Sequence, residues 1–374
     1  MDEIRSKLYE KIGGFMKGIC HPRENYKMVT DAGINWVRRD PPLPIDKDGN
    51  VTESHKRFME ETRKYAENGL RSVVVSPYPR EFIRNGIDPR TPEGLKKVEE
   101  VCAFMAQEYS KYNVCWQATN EMFVVHFRAP LNEYESKEFI IASLKGLRKG
   151  DPNAAIGHNT VESLGVWNEY IKEIDERCDY DYLGFDLYNG TWSNGGPSTY
   201  IDKVNELYEM CKKPVILMEF GFASLGKNAS PDFREAYEYI NKLGFKDLDD
   251  MVARKEEYIE TLPSESLKHV ARTCAPEDLK QAFLTMFPHL LKMWFAEEVF
   301  PHNEEGQAQF YQELLPMLLA SPYLAGAVIY CWRDSKACFT CDAEDCPCET
   351  AWGIVKLDDT PKKAYYTIKE IFTK

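Results

Sequence analysis

Two glutamates and one cluster of cysteines are the residues whose types and setting suit them to chemistry. Glu121 follows Trp-Gln-Ala-Thr-Asn, and Glu219 sits within Pro-Val-Ile-Leu-Met-Glu-Phe-Gly-Phe. A carboxylate ending so apolar a run is costly to desolvate unless it is used or paired. Two carboxyl groups brought together can cleave a glycosidic bond: one protonates the leaving oxygen, and the other attacks the anomeric carbon or activates water. The plainer reading of a strand-end glutamate is an ion-pair partner. Cys338, Cys341, Cys346 and Cys348 form a Cys-x2-Cys-x4-Cys-x-Cys pattern. Four thiols this close can hold a tetrahedral zinc in a tight loop, as a structural rather than a catalytic ion; the alternatives are free thiols in a reducing cell or local disulfides in an exported protein. Near the N-terminus, the run His21-Pro22-Arg23 lacks the paired histidines of barrel metallohydrolases, so no cofactor is expected for catalysis.

These residues need a scaffold. Eight short apolar runs bounded by turn signals read as strands: 13–20, 34–39, 71–76, 114–119, 154–158, 181–187, 214–220 and 326–332. Helical periodicity fills the gaps at 54–68, 92–112, 134–149, 162–176 and 198–212. Runs this continuously apolar suit strands buried on both faces, as in parallel sheets. Eight of them alternating with helices predict an α/β fold, a closed (β/α)8 TIM barrel, and no GxGxxG follows the first strand to favour a dinucleotide fold. Polar residues collect where the strands end, among them His21, Arg38, Asn120, Glu121, His158, Asp186, Tyr188 and Glu219. In such a barrel these ends share the face on which active sites are built. Residues 222–310 exceed what one crossover needs, and they read as a helical insertion on that face within a single catalytic domain, 1–374.

Composition narrows the function classes. The 374 residues are 43% apolar, enough for a sizeable core, and 13% aromatic, which suits sugar stacking as well as core filling. A net charge of −13 argues against a nucleic-acid surface. No run reaches membrane-spanning length, so no membrane partner is expected. The opening Met-Asp-Glu-Ile-Arg-Ser-Lys has mixed charge and leads into no apolar signal region. Eleven cysteines, most in apolar contexts, fit a reducing cytoplasm.

The pair Asn120-Glu121 closing the fourth strand, with Glu219 closing the seventh, resembles glycoside hydrolase clan A. That clan includes families 2, 5 and 39, (β/α)8 barrels that hydrolyse β-glycosides with retention. Ala-Gly-Ile-Asn-Trp-Val-Arg-Arg-Asp (32–40) is similar to its second-strand segment, and Gly-Ala-Val-Ile-Tyr-Cys-Trp-Arg-Asp (326–334) to its eighth. The resemblance implies a carbohydrate substrate, with Glu121 as acid/base, Glu219 as nucleophile and Asn120 binding the sugar 2-hydroxyl. It further implies that Tyr188 hydrogen-bonds the nucleophile, that Arg38 pairs with Glu219, and that Trp332 stacks on the sugar. His126 and His158 are candidates for hydroxyl recognition, with an ordinary hydrogen-bonded structural role as the alternative. Tyr188 and Trp332 are equally explicable as packing. Exo action on short glycosides is the expected mode; an endo-glycanase, a transglycosylase and a non-catalytic glycan-binding barrel are the rivals.

Overall fold

A computed structural model describes residues 3–160, 165–230 and 232–374. Eight parallel strands close into a barrel, each bonded to the next and the last to the first. They are β1 (Met16–Cys20), β2 (Trp36–Arg39), β3 (Arg71–Val75), β4 (Cys115–Ala118), β5 (Ala155–Thr160), β6 (Tyr182–Asp186), β7 (Val215–Phe220) and β8 (Leu324–Ile329). Seven fall on the predicted runs to within a few residues. β8 starts earlier and stops short of Trp332, because the chain turns there: the Tyr330 amide donates to the Phe220 carbonyl and the Trp332 amide to that of Cys20.

The strands bury both faces, so their side chains divide by parity. Met16, Trp36, Val73, Cys115, Tyr182, Ile216 and Val328 fall in one apolar cluster, which fills the barrel interior. Ile19, Val37, Leu183, Phe185, Leu217 and Ile329 fall in a second, shared with surrounding helices. Large interior side chains need small neighbours. A Cβ on Gly157 would come within 2.5 Å of the Tyr182 ring, and one on Gly326 within 2.4 Å of the Met16 Cβ.

Crossover helices start where the sequence supplies caps. The Thr52 hydroxyl accepts from the His55 amide ahead of Glu53–Glu67, and Thr91 accepts from Gly94 ahead of Pro92–Tyr109. Asn132 and Glu135 form a reciprocal capping box for Glu133–Gly150. The predicted helix 162–176 runs over Trp167–Arg177; its first residues, 162–164, lie outside the described residues, as do the first two of the charged N-terminal stretch.

Between β7 and β8 the chain forms helices Arg234–Lys242, Leu248–Ala253, Lys255–Thr261, Glu265–Thr273 and Leu279–Leu291. Their inward residues (Met251, Tyr258, Leu267, Phe283, Phe287) belong to the same apolar cluster as the barrel interior. The next helix, Glu304–Ala320, packs instead on Pro197–Cys211 and the C-terminal Lys363–Phe372, as an outer barrel helix. No helix among the described residues is long and apolar enough to cross a membrane.

Candidate active site

Strand parity places the functional side chains. In β2, Trp36 fills the interior, so Arg38, two residues on, points up the barrel axis, while Arg39 points outward onto the Phe58 ring, 3.9 Å from its centroid. Arg38 is 1% exposed and its whole guanidinium is used. Nε donates to Gln117 Oε1 at 2.9 Å, Nη2 to Asn120 Oδ1 at 2.5 Å, and Nη1 to Glu219 Oε1. The second Glu219 oxygen accepts from the Tyr188 hydroxyl at 2.5 Å. Arginine has no acceptor, so this arrangement requires Glu219 to present oxygen lone pairs and fixes the carboxylate plane.

Asn120 is oriented by the same network. Its Oδ1 also accepts from Gln117 Nε2 at 3.1 Å and from Asn159 Nδ2 at 3.2 Å. Three converging donors assign the oxygen to the interior, which turns the amide NH2 toward the cavity that Asn120 lines.

Glu121 lies one residue beyond, in a strained connection. Thr119 and Glu121 take φ of 63° and 44°, left-handed values that cost a non-glycine residue on the order of 1 kcal/mol each. Side chains from neighbouring strands hold them there. The Thr119 amide donates to Ser76 Oγ at 2.9 Å, and the Glu121 amide to Asn159 Oδ1 at 2.8 Å. Backbone strain thus aims the Glu121 side chain into the cavity. Burial, reinforced by the negative charge of Glu219 and opposed by Arg38, raises the Glu121 pKa to about 8. Asp186, fully buried in the same network, accepts from Asn159 Nδ2 at 2.5 Å. Burial first, then the charges of Glu219 and Glu121, push it well above the carboxylate range, so Asp186 stays protonated. A register shift at the end of β6 sets Asp186 beside Glu219.

The cavity above this network has a volume of about 510 Å³, within the roughly 300–1,000 Å³ usual for ligand sites. Trp352 lines it, edge-on to Tyr188 at 5.0 Å between ring centroids. Tyr330 donates to Glu349 Oε2 at 3.1 Å, and both face the cavity. Burial, then the nearby Glu219 and Glu121 charges, raise the Glu349 pKa well above the usual range, against the Tyr330 hydrogen bond.

The structure brings Arg38, Asn120, Glu121, Tyr188 and Glu219 together, and places His126 on the cavity wall. Burial lowers the His126 pKa to about 4, so it is a neutral imidazole. Two expected residues lie elsewhere. His158 is buried against Tyr180, with ring centroids 5.0 Å apart, because its parity in β5 is outward. Trp332 is 0% exposed in the outer cluster near Tyr365, because the turn after β8 reverses its side; the cavity's tryptophans are Trp192 and Trp352. Gln117, Asn159, Asp186, Tyr330, Glu349 and Trp352 had no role in the sequence-based site, although Asp186 stood among the polar strand ends. Parity was the available signal for the first three, which follow interior positions of their strands at two-residue spacing.

The cysteine cluster is also rearranged. Cys338, Cys341 and Cys346 converge, but their fourth neighbour is His289, from helix Leu279–Leu291. Cys348 lines the cavity instead, and its carbonyl accepts from Trp352 Nε1 at 2.6 Å.

No protein-family model matches the sequence, and no curated protein matches it. Solved structures share its fold. A family 2 β-galacturonidase from Eisenbergiella tayi, bound to galacturonate, superposes over 96% of this chain with a TM-score of 0.54 at 13% identity. A family 53 catalytic domain from Ignisphaera aggregans covers 98% with a TM-score of 0.55 at 14% identity. A family 39 glycoside hydrolase from Bacteroides cellulosilyticus covers 97% with a TM-score of 0.56 at 13% identity. The chain spans 51% of the galacturonidase, 94% of the family 53 domain and 64% of the family 39 enzyme. These likenesses establish the barrel fold that clan A glycoside hydrolases share.

Proposed function

We propose that the protein is a retaining β-glycosidase working by double displacement. The observation that carries this reading is the contrast between two glutamates at one cavity. Glu219 is gripped by Arg38 and Tyr188 through both oxygens, while Glu121 holds its proton up to about pH 8. A fixed carboxylate beside a carboxylic acid is the division of labour that glycoside cleavage needs. Glu219 attacks the anomeric carbon as Glu121 protonates the departing oxygen. Glu121, now ionised, then takes a proton from the water that attacks the anomeric carbon and releases Glu219. The Asn120 amide donates to the sugar 2-hydroxyl, and Trp352 offers a face for the ring. None of these steps needs a cofactor.

The cavity chemistry also bears on the sugar. Its lining holds Asp40, Glu121, Glu219 and Glu349 and, among the described residues, no lysine or arginine. Arg38 lies beneath the cavity with every arm engaged. A uronic acid brings a carboxylate that needs a cationic partner, so we assign a neutral glycone, although galacturonate occupies one structural neighbour. Helix Leu279–Leu291 walls the cavity through Gln281, Leu284 and Met286, which favours exo action on short substrates.

The test is a panel of aryl β-glycosides, neutral and uronic, run beside Glu121→Ala and Glu219→Ala. Activity on a neutral member, lost in both variants, is the expected result, with proton NMR showing the β-anomer released first. Azide should restore turnover to Glu219→Ala, giving an α-glycosyl azide, because the small anion attacks from the vacated face. A first-formed α-anomer would refute retention, and a preference for uronides would refute the neutral assignment. Silence on both aryl and oligosaccharide substrates, with sugar binding retained, would make the barrel a binding protein.

A further inference from the structure

We propose that His289, Cys338, Cys341 and Cys346 form a tetrahedral zinc site that locks the insertion to the loop after β8, and so fixes one wall of the cavity. One ligand atom from each of the four lies within 4.8 Å of all the others, and all four residues are buried. His289 Nδ1 faces Cys338 Sγ at 3.3 Å and Cys346 Sγ at 3.7 Å. Bond lengths of about 2.3 Å to sulfur and 2.0–2.1 Å to nitrogen give a tetrahedron an S···N edge of about 3.6 Å. These two S···N separations bracket that edge, and the remaining ligand pairs lie within 4.8 Å. Three soft thiolates with one imidazole select zinc among the common divalent ions.

A second observation concerns charge. The backbone amides of Thr340 and Cys341 both point at Cys338 Sγ, at 3.4 Å each. Two N–H groups directed at one sulfur suit a thiolate better than a neutral thiol. The turn that delivers them is closed by Cys338 N–H donating to the Ala343 carbonyl and Asp342 N–H to the Cys338 carbonyl, both at 2.9 Å.

The consequence for the cavity follows from where the ligands sit. His289 lies in the last turn of the helix that supplies Gln281, Leu284 and Met286 to the wall, and Trp192, another wall residue, packs with its ring centroid 5.4 Å from that of His289. Phe339, Thr340 and Glu349 line the cavity from the cysteine loop. One ion would hold both segments at a fixed separation.

Metal analysis of the full chain, purified with reductant and without chelator, tests this independently of any glycosidase activity. About one zinc per chain is expected. It should fall at least tenfold in His289→Ala and in Cys341→Ser, and persist in Cys348→Ser. Should those variants fail to fold, cobalt exchanged into the unmodified protein serves instead, where thiolate-to-cobalt charge-transfer absorption is expected. Chelation should lower the Tm, and zinc should restore it. Metal-free protein whose Tm does not respond to zinc would overturn the proposal. So would a disulfide among Cys338, Cys341 and Cys346 under reducing purification, or full zinc content in His289→Ala.

Discussion

Glu121→Gln should stabilise the protein at alkaline pH and leave it unchanged in acid, while destroying its activity. Holding a carboxyl protonated up to about 8 rather than the ordinary 4.5 means that ionisation costs the folded state about 5 kcal/mol more than the unfolded chain. The sign follows from proton binding. Between these two values the folded protein holds a proton that the unfolded chain has lost, so stability from this group is full below about pH 4.5. It is lost as pH rises through 8. Water entry and relaxation around the ionised group reduce the ceiling, leaving about 3 kcal/mol as the working figure. Glutamine keeps the size of the neutral acid and cannot ionise. At about 2.1 cal/mol/K per residue, the unfolding entropy is near 0.8 kcal/mol/K for this chain, so the variant should melt about 4 °C higher at pH 8 and level with wild type at pH 4.5. Calorimetry across that range measures it. The same ionisation should give wild-type kcat/KM a falling alkaline limb near pH 8. In Glu219→Gln, the Glu121 titration seen by NMR should move down without reaching 4.5, because burial outranks the Glu219 charge among the causes. A Tm difference independent of pH would refute the reasoning, since it would mean that Glu121 is not a buried acid.

Other consequences are more local. Arg38→Lys should lower kcat by about 10²–10³, because one ammonium cannot serve Glu219, Asn120 and Gln117 together; steady-state kinetics on the best aryl glycoside checks this. Asp186→Asn should change stability by less than about 1 kcal/mol, since Asp186 is already neutral, whereas Asp186→Ala leaves the Asn159 amide without that partner at a cost of about 1–3 kcal/mol, measurable by denaturant unfolding. The two tryptophans should separate: Trp352→Ala should raise KM, whereas Trp332→Ala should cost about 3–5 kcal/mol of stability as a core truncation.

The barrel was legible because its strands are apolar on both faces and its crossovers carry caps such as Thr91-Pro92 and Asn132-x2-Glu135. Glu121 and Glu219 were legible because charge at the end of such strands has few innocent explanations. The network that orients them was not, because a list of polar strand ends ignores which way each side chain points. His158 and Asn159 are adjacent, and only parity tells them apart. Ile156 packs on the outer helices, and His158 shares its side; Gly157 faces the interior beside Tyr182, and Asn159 shares that side. Counting in twos from the interior residues would have chosen Asn159, Gln117 and Asp186. The same counting fails for Trp332, because β8 ends at Ile329 and the turn beyond it obeys no strand period.

The cysteine loop shows a different limit. Spacing along the chain names candidates for a cluster, but a tetrahedron is completed by whatever the fold brings to its open vertex. Cys348 is nearest in sequence and its thiol touches that of Cys346, yet it lies in the short Pro347–Thr350 helix on the cavity lining, outside the group of four converging ligand atoms. His289 is 49 residues from Cys338, in a helix whose place is set by the apolar faces of Phe283, Met286 and Phe287. No local pattern marks it as a partner. The same packing that buries the insertion against the barrel therefore delivers the fourth ligand, so the site can form only after the insertion docks. An ion bound there would stabilise the docked arrangement in preference to any open one, which couples metal occupancy to the shape of the cavity.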